Sequence, residues 1–464
     1  MRVFYAAGCG DVLGTFAHWS EGRDDPSRVA WTYSGQFFDL RRDLDLEAYV
    51  YSDCATAGIA SSDGVQVRHV PRPPGARGLA FHLAQVRNGM RILAEARRFR
   101  ADVLVINGGM THWFVLRLFP WLGIDVIPAL HCALFPEGPR SRWNRWVVDR
   151  LGLGLFRGEA LAILAFPGRV SDQVRAITDG RHAPIVEFLP TYRRATFEGI
   201  PAPDPAVRPF RVVFAGRVEA EKGALDLVEI AKGVRARGVT DVEFDVCGIG
   251  SALAALTLAV NGEGLTDAFR FHGYCSHERM VGLYSAAHAV IVPTRSEFAE
   301  GFNKVVVEGV LAGRPVVTSP VCPAIETVGP AVAVVQRDDL GAYADMMVRL
   351  ATDPQFYREK QSACAAVSTP FCDVGRGWGE ALKSILLTHR EGRKIPSARA
   401  RPGTPVPSPP PARERGAAAI RSGEIARAEQ GDGGFTSGSH GEASADSLPS
   451  GLALTQERRP SPTG

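Results

Sequence analysis

Arg217 and Lys222 stand five positions apart, just after a strand-like run (211–215) that ends at Gly216. A strand followed by a glycine turn puts both cations on one loop. There a guanidinium fork and a mobile ammonium can reach the same diphosphate. Further on, Glu300 and Glu308 are separated by seven residues. Gly301 and Phe302 are expected to open a helix that runs through about Ala312. Unpaired amides at a helix start attract phosphate oxygens. Glu308 then lies about a turn and a half into that helix. The helix is otherwise apolar (Val305, Val306, Val307, Val310, Leu311), so a carboxylate inside it needs a partner. One carboxylate can accept hydrogen bonds from a ribose diol and the other from the hydroxyls of a sugar.

Two further turns fall between these pairs. Asp245-Val-Cys-Gly-Ile-Gly250 and Phe271-His-Gly273-Tyr274 each read as a strand end with glycine, where a flat base can approach the backbone. Ser276 is placed to cap the helix that follows. Near the N-terminus, Gly8-Cys-Gly10-Asp-Val-Leu-Gly14 follows a first strand but misses the dinucleotide spacing by one residue, which disfavours a dehydrogenase. The Asp-x-Asp string Asp43-Leu-Asp45 sits in a charged stretch with no strand leading into it, so it reads as surface and no metal is expected.

The elements that must position these groups repeat a simple alternation. Short β-branched strands are separated by helical stretches, near 2–6, 103–106, 126–130 and 162–165 in the first half, and near 210–215, 242–246, 270–272, 289–292 and 315–318 in the second. Such alternation implies parallel sheets covered on both faces. Three prolines in Ile200-Pro-Ala-Pro-Asp-Pro205 mark a linker. The expected class is therefore α/β, with two Rossmann-like domains facing across a cleft and the ligand at the carboxyl ends of the strands. The divisions are an N-terminal acceptor domain at 1–200 and a C-terminal donor domain at 206–368. A helix at 369–390 returns to the first domain. Beyond residue 391 apolar runs almost vanish and a proline-rich string, 402–411, appears, so 391–464 reads as a disordered tail.

Taken together, Gly216-Arg217…Lys222-Gly223, the Pro293…Glu300-Gly-Phe…Glu308 block and Ala312-Gly-Arg-Pro-Val-Val-Thr resemble the retaining glycosyltransferases of family 4, which have the GT-B fold. The resemblance covers about 210–325 in its motifs and 1 to 388 in its alternation. It implies a nucleoside-diphosphate-sugar donor, with no cofactor and no metal. Arg217 and Lys222, with the amides of Gly301 and Phe302, would hold the diphosphate. Glu300 would touch the donor sugar, Glu308 the ribose, and the backbone around Gly273 and Tyr274 the base. A histidine beside the donor sugar would be His131, with His112 as the rival, and the Gly8–Gly10 loop would lie near the diphosphate. The family often has glycine after Glu-Gly-Phe. Here Asn303 and Lys304 follow, adding charge at the helix start and bearing on sugar selection. The segments around 165–171 and 190–192 also depart from the family, so no acceptor contacts are carried over.

Composition narrows the class from another side. In 464 residues the net charge is only +3, which argues against a nucleic-acid partner. Eight scattered cysteines without Cys-x-x-Cys spacing argue for reduced thiols and a cytoplasmic setting. No apolar run is long enough to span a bilayer. Trp143, Trp146, Val147 and Leu151 form one helical stripe flanked by arginines, which suits either sheet packing or a peripheral contact at the inner face of the membrane. The expected activity is hexosyl-type transfer to a carbohydrate or lipid-linked acceptor, in cell-envelope polysaccharide or glycolipid synthesis. The alternatives are a nucleotide-sugar epimerase or hydrolase on the same fold and a non-catalytic nucleotide-sugar-binding protein.

Overall fold

The computed structural model describes residues 1–62, 64–71, 78–135 and 150–398. Trp143, Trp146 and Val147 of the stripe, and the tail from 399 onward, lie outside the described residues. Fourteen described strands form two sheets. The first holds β1 (Arg2–Gly8), β2 (Glu47–Ser52), β3 (Gly58–Ser62), β4 (Val65–His69), β5 (Val103–Asn107), β6 (Asp125–Leu130), β7 (Ile163–Ala165) and β8 (Ile185–Glu187). Their order is β3-β4-β2-β1-β5-β6-β7-β8. Only β3 runs antiparallel to its neighbour. The second sheet holds β9 (Phe210–Ala215), β10 (Val242–Cys247), β11 (Phe269–Gly273), β12 (Ala289–Val292), β13 (Val316–Thr318) and β14 (Val332–Val334), in the order β11-β10-β9-β12-β13-β14. All of its pairs are parallel.

The central strands are buried along their length because helices cover both faces. In the first half these are α1 (Val12–Ser20), α2 (Tyr33–Leu44), α3 (Gly78–Phe99) and α4 (Arg169–Ile177). In the second they are α5 (Asp226–Ala236), α6 (Leu253–Gly262), α7 (His277–Ala286), α8 (Lys304–Leu311), α9 (Leu340–Thr352) and α10 (Pro354–Ser368). Ser276 caps α7 by accepting from the Arg279 amide at 3.3 Å.

A final helix, α11 (Trp378–Arg390), packs back on the first sheet's helices. Its first residue, Trp378, is fully buried, 5.2 Å from Tyr5 and 5.9 Å from Tyr33 between ring centres. The Gly379 amide donates to Gln36 Oε1 at 2.9 Å, and Lys383 pairs with Asp43 at 2.7 Å. The start of the supposed tail is ordered, contrary to the compositional reading. Ser397 Oγ accepts from the Ile185 amide at 3.0 Å, and the Ala398 amide donates to Ile185 O at 2.7 Å. β8 is an edge strand with free backbone groups, and this segment satisfies some of them.

The strand alternation predicted β1, β5, β6, β7 and β9 to β13 but missed β2, β3, β4, β8 and β14, of which β2 and β4 are interior to the first sheet. The predicted helix start at Gly301 and Phe302 is also displaced. Asn303 takes a left-handed conformation, φ +57°, and α8 begins at Lys304. Phe302 turns inward instead and stacks on Phe166 at 4.9 Å, joining the cores of the two halves.

Candidate functional site

β9 delivers Gly216 and Arg217 to the mouth of the cleft between the two sheets, and a short turn then brings Lys222 back toward it. From the next strand, β12, the chain runs through Thr294 and Glu300 into α8. These two connections meet. Lys222 Nζ donates to Glu300 Oε2 at 2.6 Å, with both side chains mostly buried. Thr294 Oγ1 and Asn303 Nδ2 donate to the same oxygen at 2.9 and 3.1 Å. Glu300 Oε1 receives the Gly301 amide alone, at 3.0 Å. One oxygen is thus saturated and the other retains a lone pair for a ligand. Two of the predicted phosphate amides are reassigned by this geometry. Gly301 N–H is committed to Glu300, and Phe302 lies in the core. The amides at the true helix start are those of Lys304 and Val305, and both residues line the cleft.

Glu308 sits on the inner face of α8. Tyr284 Oη donates to its Oε2 at 2.8 Å and Tyr192 Oη to its Oε1 at 3.5 Å. Burial raises its carboxyl to about 7, against the hydrogen bonds from the tyrosines and the nearby Lys304. Burial lowers Lys304 in turn to about 8, with Glu308 opposing the shift. The Lys304 ammonium lies 4.3 Å from the centre of the Tyr33 ring. Neither tyrosine was marked by a motif. Tyr192 is 116 residues from its partner in sequence, and nothing local announces the pair.

The cleft contains two conjoined cavities. The larger, about 640 Å³, is lined by Gly10, Arg28, Tyr33, Asn107, Tyr274 and Glu308 among others. The smaller, about 250 Å³, is lined by Lys222, Thr294, Glu300 and Asn303. Ala215, Gly216, Arg217, Lys304 and Val305 line both. Of the predicted base-side residues Tyr274 reaches the cavity wall. Gly273 stands behind it, its carbonyl accepting from the Gly248 amide at 2.7 Å. Gly10 lines the larger cavity, whereas Gly8 ends β1 behind it, its carbonyl held by Ser52 Oγ at 2.7 Å.

His131 follows β6 and sits one layer behind the wall. Its ring stacks on Tyr33 at 4.4 Å, and its Nε2 is 3.0 Å from Asn107 Oδ1. Asn107 Nδ2 donates to Ala7 O at 2.7 Å, so Oδ1 is its acceptor end and His131 carries its proton on Nε2. Nδ1 is then a buried lone pair with no hydrogen-bond partner. Burial, aided by Lys304, pushes the imidazole down to about 3, so it is neutral. His112 does not join this group. It pairs with His82 at 3.1 Å and stacks against Phe114.

The two walls are stitched by backbone. Cys132 and Gly301 form an antiparallel bridge, and the Ala133 amide donates to Glu300 O at 3.2 Å. A side chain at position 301 would place its first carbon 2.5 Å from His131 O, so glycine permits this approach. A strap from the α1–α2 connection crosses nearby. Pro26 O accepts from the His277 amide at 3.0 Å, Ser27 O from Tyr274 Oη at 3.1 Å, and Arg28 O pairs with His277 Nδ1 at 3.0 Å. Arg193 anchors the strap through a two-pronged contact with Asp24 at 2.9 and 3.0 Å.

Among the described residues one trio of potential metal ligands lies together, Asp11, Cys54 and His69. His69 Nε2 accepts from the Val12 and Leu13 amides at 3.1 and 3.0 Å, so that lone pair caps α1 rather than facing a metal. Asp43 and Asp45 lie at the end of α2, Asp43 paired with Lys383, on the surface as expected.

The chain is similar to known proteins in both sequence and fold. Residues 209–353 match the family model of the group 1 glycosyl transferases. The D-inositol 3-phosphate glycosyltransferase 1 of Catenulispora acidiphila is 28% identical over 372 residues, covering 73% of this chain and 84% of that one. The 2-deoxystreptamine N-acetyl-D-glucosaminyltransferase of Streptomyces fradiae is 27% identical over 293 residues, 58% and 67% of the two chains. In fold, the α,α-trehalose 6-phosphate synthase of Burkholderia multivorans superposes with a TM-score of 0.64 at 12% identity, over 84% of this chain and 99% of that one. HepE of Anabaena, in complex with UDP, gives 0.57 at 15% identity over 84% and 100%. The matched segment holds Arg217, Lys222, Glu300 and Glu308, the fold is GT-B, and the chain is a glycosyltransferase whose second half is similar to those of group 1.

Proposed function

We propose that the enzyme moves a sugar from a nucleoside-diphosphate sugar to a hydroxyl of a carbohydrate or lipid-linked acceptor, with retention of anomeric configuration. The observation that carries this reading is the pair of joined cavities, each with one buried carboxylate. The larger offers Glu308 and Tyr274 to a nucleoside, and the smaller offers Glu300 to a sugar. HepE of Anabaena was solved with UDP, and a trehalose-6-phosphate enzyme of E. coli with UDP-2-fluoro glucose, which supports a donor of this class on this fold.

In the proposed reaction the bond from the sugar's anomeric carbon to the β-phosphate oxygen breaks. The acceptor oxygen bonds to that carbon from the same face and gives its proton to the departing phosphate. The largest demand is stabilisation of the charge that develops on the leaving group. Arg217, Lys222 and the Lys304 and Val305 amides supply fixed positive potential there. Glu300 Oε1 accepts from a sugar hydroxyl, and neutral His131, hydrogen-bonded to Asn107, holds the wall beside it. None of these roles calls on a metal. The setting proposed is the cytoplasm, with envelope polysaccharide or glycolipid as product. No described helix is long and apolar enough to cross a membrane.

The test is a panel of nucleotide sugars screened by thermal shift, followed by transfer assays with the binders and NMR of the product's anomeric centre. A bound donor raises the melting temperature with the logarithm of its excess. An inverted product would overturn the retaining reading. Sugar release at the same rate with and without acceptor would favour a hydrolase.

A further inference from the structure

Lys304 occupies a position that the assigned donor groups leave unexplained. It is the first residue of α8 and lines both cavities. The residues shared by the two cavities mark the neck between them, and Arg217 and Lys304 are its two cations. If the nucleoside fills the larger space and the sugar the smaller, the group that joins them must pass this neck. In a nucleoside-diphosphate sugar that group is the diphosphate.

The other loop cation is already occupied. Lys222 is paired with Glu300 at 2.6 Å. Lys304 has no carboxylate within ion-pair distance among the described residues. Its ammonium meets the face of Tyr33, with Glu308 and Arg28 as further charged neighbours. A half-buried ammonium without an anion is costly, and an arriving phosphate relieves that cost.

We infer that Lys304 is a diphosphate-anchoring residue: with Arg217 it grips the phosphates at the neck, while Lys222 chiefly holds Glu300 in place for the sugar. This rests on the donor class proposed above and divides the labour of the cations within it. The side chain and the main-chain amide of one residue then serve the same anion. Lys304 also spans from the donor wall to Tyr33 of the opposite half, so phosphate bound here touches a group that senses both walls.

Calorimetric titration of the full chain tests this. UDP, ADP and GDP are compared first, and the tightest is then run beside its monophosphate and its nucleoside. Wild type and the variants Lys304→Gln, Lys304→Met and Lys304→Arg are measured together. Loss of one charge-assisted contact should weaken the diphosphate about 10-fold to 100-fold in Lys304→Gln and Lys304→Met. The nucleoside should bind as before, and Lys304→Arg should recover most of the loss. Lys304→Met keeps the apolar stem over Tyr33, so the two neutral variants separate charge from packing. Equal diphosphate affinity in wild type and both neutral variants would overturn the inference. So would an equal loss for nucleoside and diphosphate, which marks a packing role. Failure of the wild type to bind all three diphosphates would instead overturn the donor class itself.

Discussion

Lys222 Nζ lies 2.6 Å from Glu300 Oε2, and this ion pair fixes which carboxylate oxygen remains open to a ligand. Glu300→Gln keeps the shape but removes the charge and misdirects the amide. It should lower kcat/KM by about 100-fold or more, as loss of a fixed transition-state contact does. It also strands the Lys222 ammonium, so its melting temperature should fall, by less than in Lys222→Met because the neutral amide can still accept from that ammonium. A transfer assay beside a thermal melt decides it; unchanged activity would end the proposed role.

Lys222→Met should behave differently. It leaves Glu300 buried without its cation, held only by Thr294, Asn303 and the Gly301 amide. Breaking such a buried pair costs about 3 kcal/mol in stability. Urea unfolding should show this loss, with activity falling as well. The double variant Lys222→Met, Glu300→Gln should recover part of the stability but none of the activity.

The pH dependence should come from α8. Glu308 is held up at about 7 by burial, so it becomes a carboxylate, the better acceptor for ribose hydroxyls, as pH rises through 7. Lys304 is held down at about 8, so its charge is lost as pH rises through 8. The free-enzyme kcat/KM should therefore form a narrow bell between these values. Glu308→Gln should flatten the acid limb and weaken donor binding. Stability carries the opposite sign. A carboxyl whose folded pKa lies above its unfolded one stabilises at low pH and loses that contribution as pH rises through 7. Glu308→Gln should then melt higher, relative to wild type, at pH 8 than at pH 5. His131, at about 3, should add no limb in this range.

Arg314 predicts a purely structural effect. It is fully buried and donates to Ala287 O at 3.1 Å, Ser285 O at 2.7 Å, Pro201 O at 3.0 Å and also Ala312 O. Arg314→Ala leaves these carbonyls unpaired and should cost about 3–5 kcal/mol. Chemical unfolding would measure it, and the donor KM of the folded fraction should not change.

Much of this was legible because the donor motifs are local. Gly216, Arg217 and Lys222 sit on one loop, and Glu300 and Glu308 flank one helix start, so spacing places each group, whereas their meeting across 78 residues was implied by the family resemblance. The helix start itself was misread by three residues, since short-range rules saw glycine and an aromatic where Phe166 from the other half claims Phe302 for the core. The tyrosines on Glu308 and the amide of Asn107 beneath His131 escaped for the same reason. Each comes from a distant element, and pairing across 24 to 116 residues leaves no trace in periodicity. β2 (Glu47–Ser52) follows directly on the charged end of α2 and is only six residues long, so it was passed over with that charged stretch. The ordered stretch near Ser397 escaped because composition reports on burial, and this segment is held by backbone pairing along β8.

The seam between the walls combines main-chain links (the Cys132–Gly301 bridge, the Ala133 amide on Glu300 O and the His277 amide on Pro26 O) with side-chain contacts such as Phe302 on Phe166 and Tyr192 on Glu308. Main-chain groups are the same in every amino acid. Apart from glycine at 301, the main-chain part of the docking therefore tolerates drift in the side chains around it, whereas Phe166, Phe302 and Tyr192 tie it to particular residues. A lineage can exchange cavity residues that make no contact across the seam without renegotiating how the halves meet.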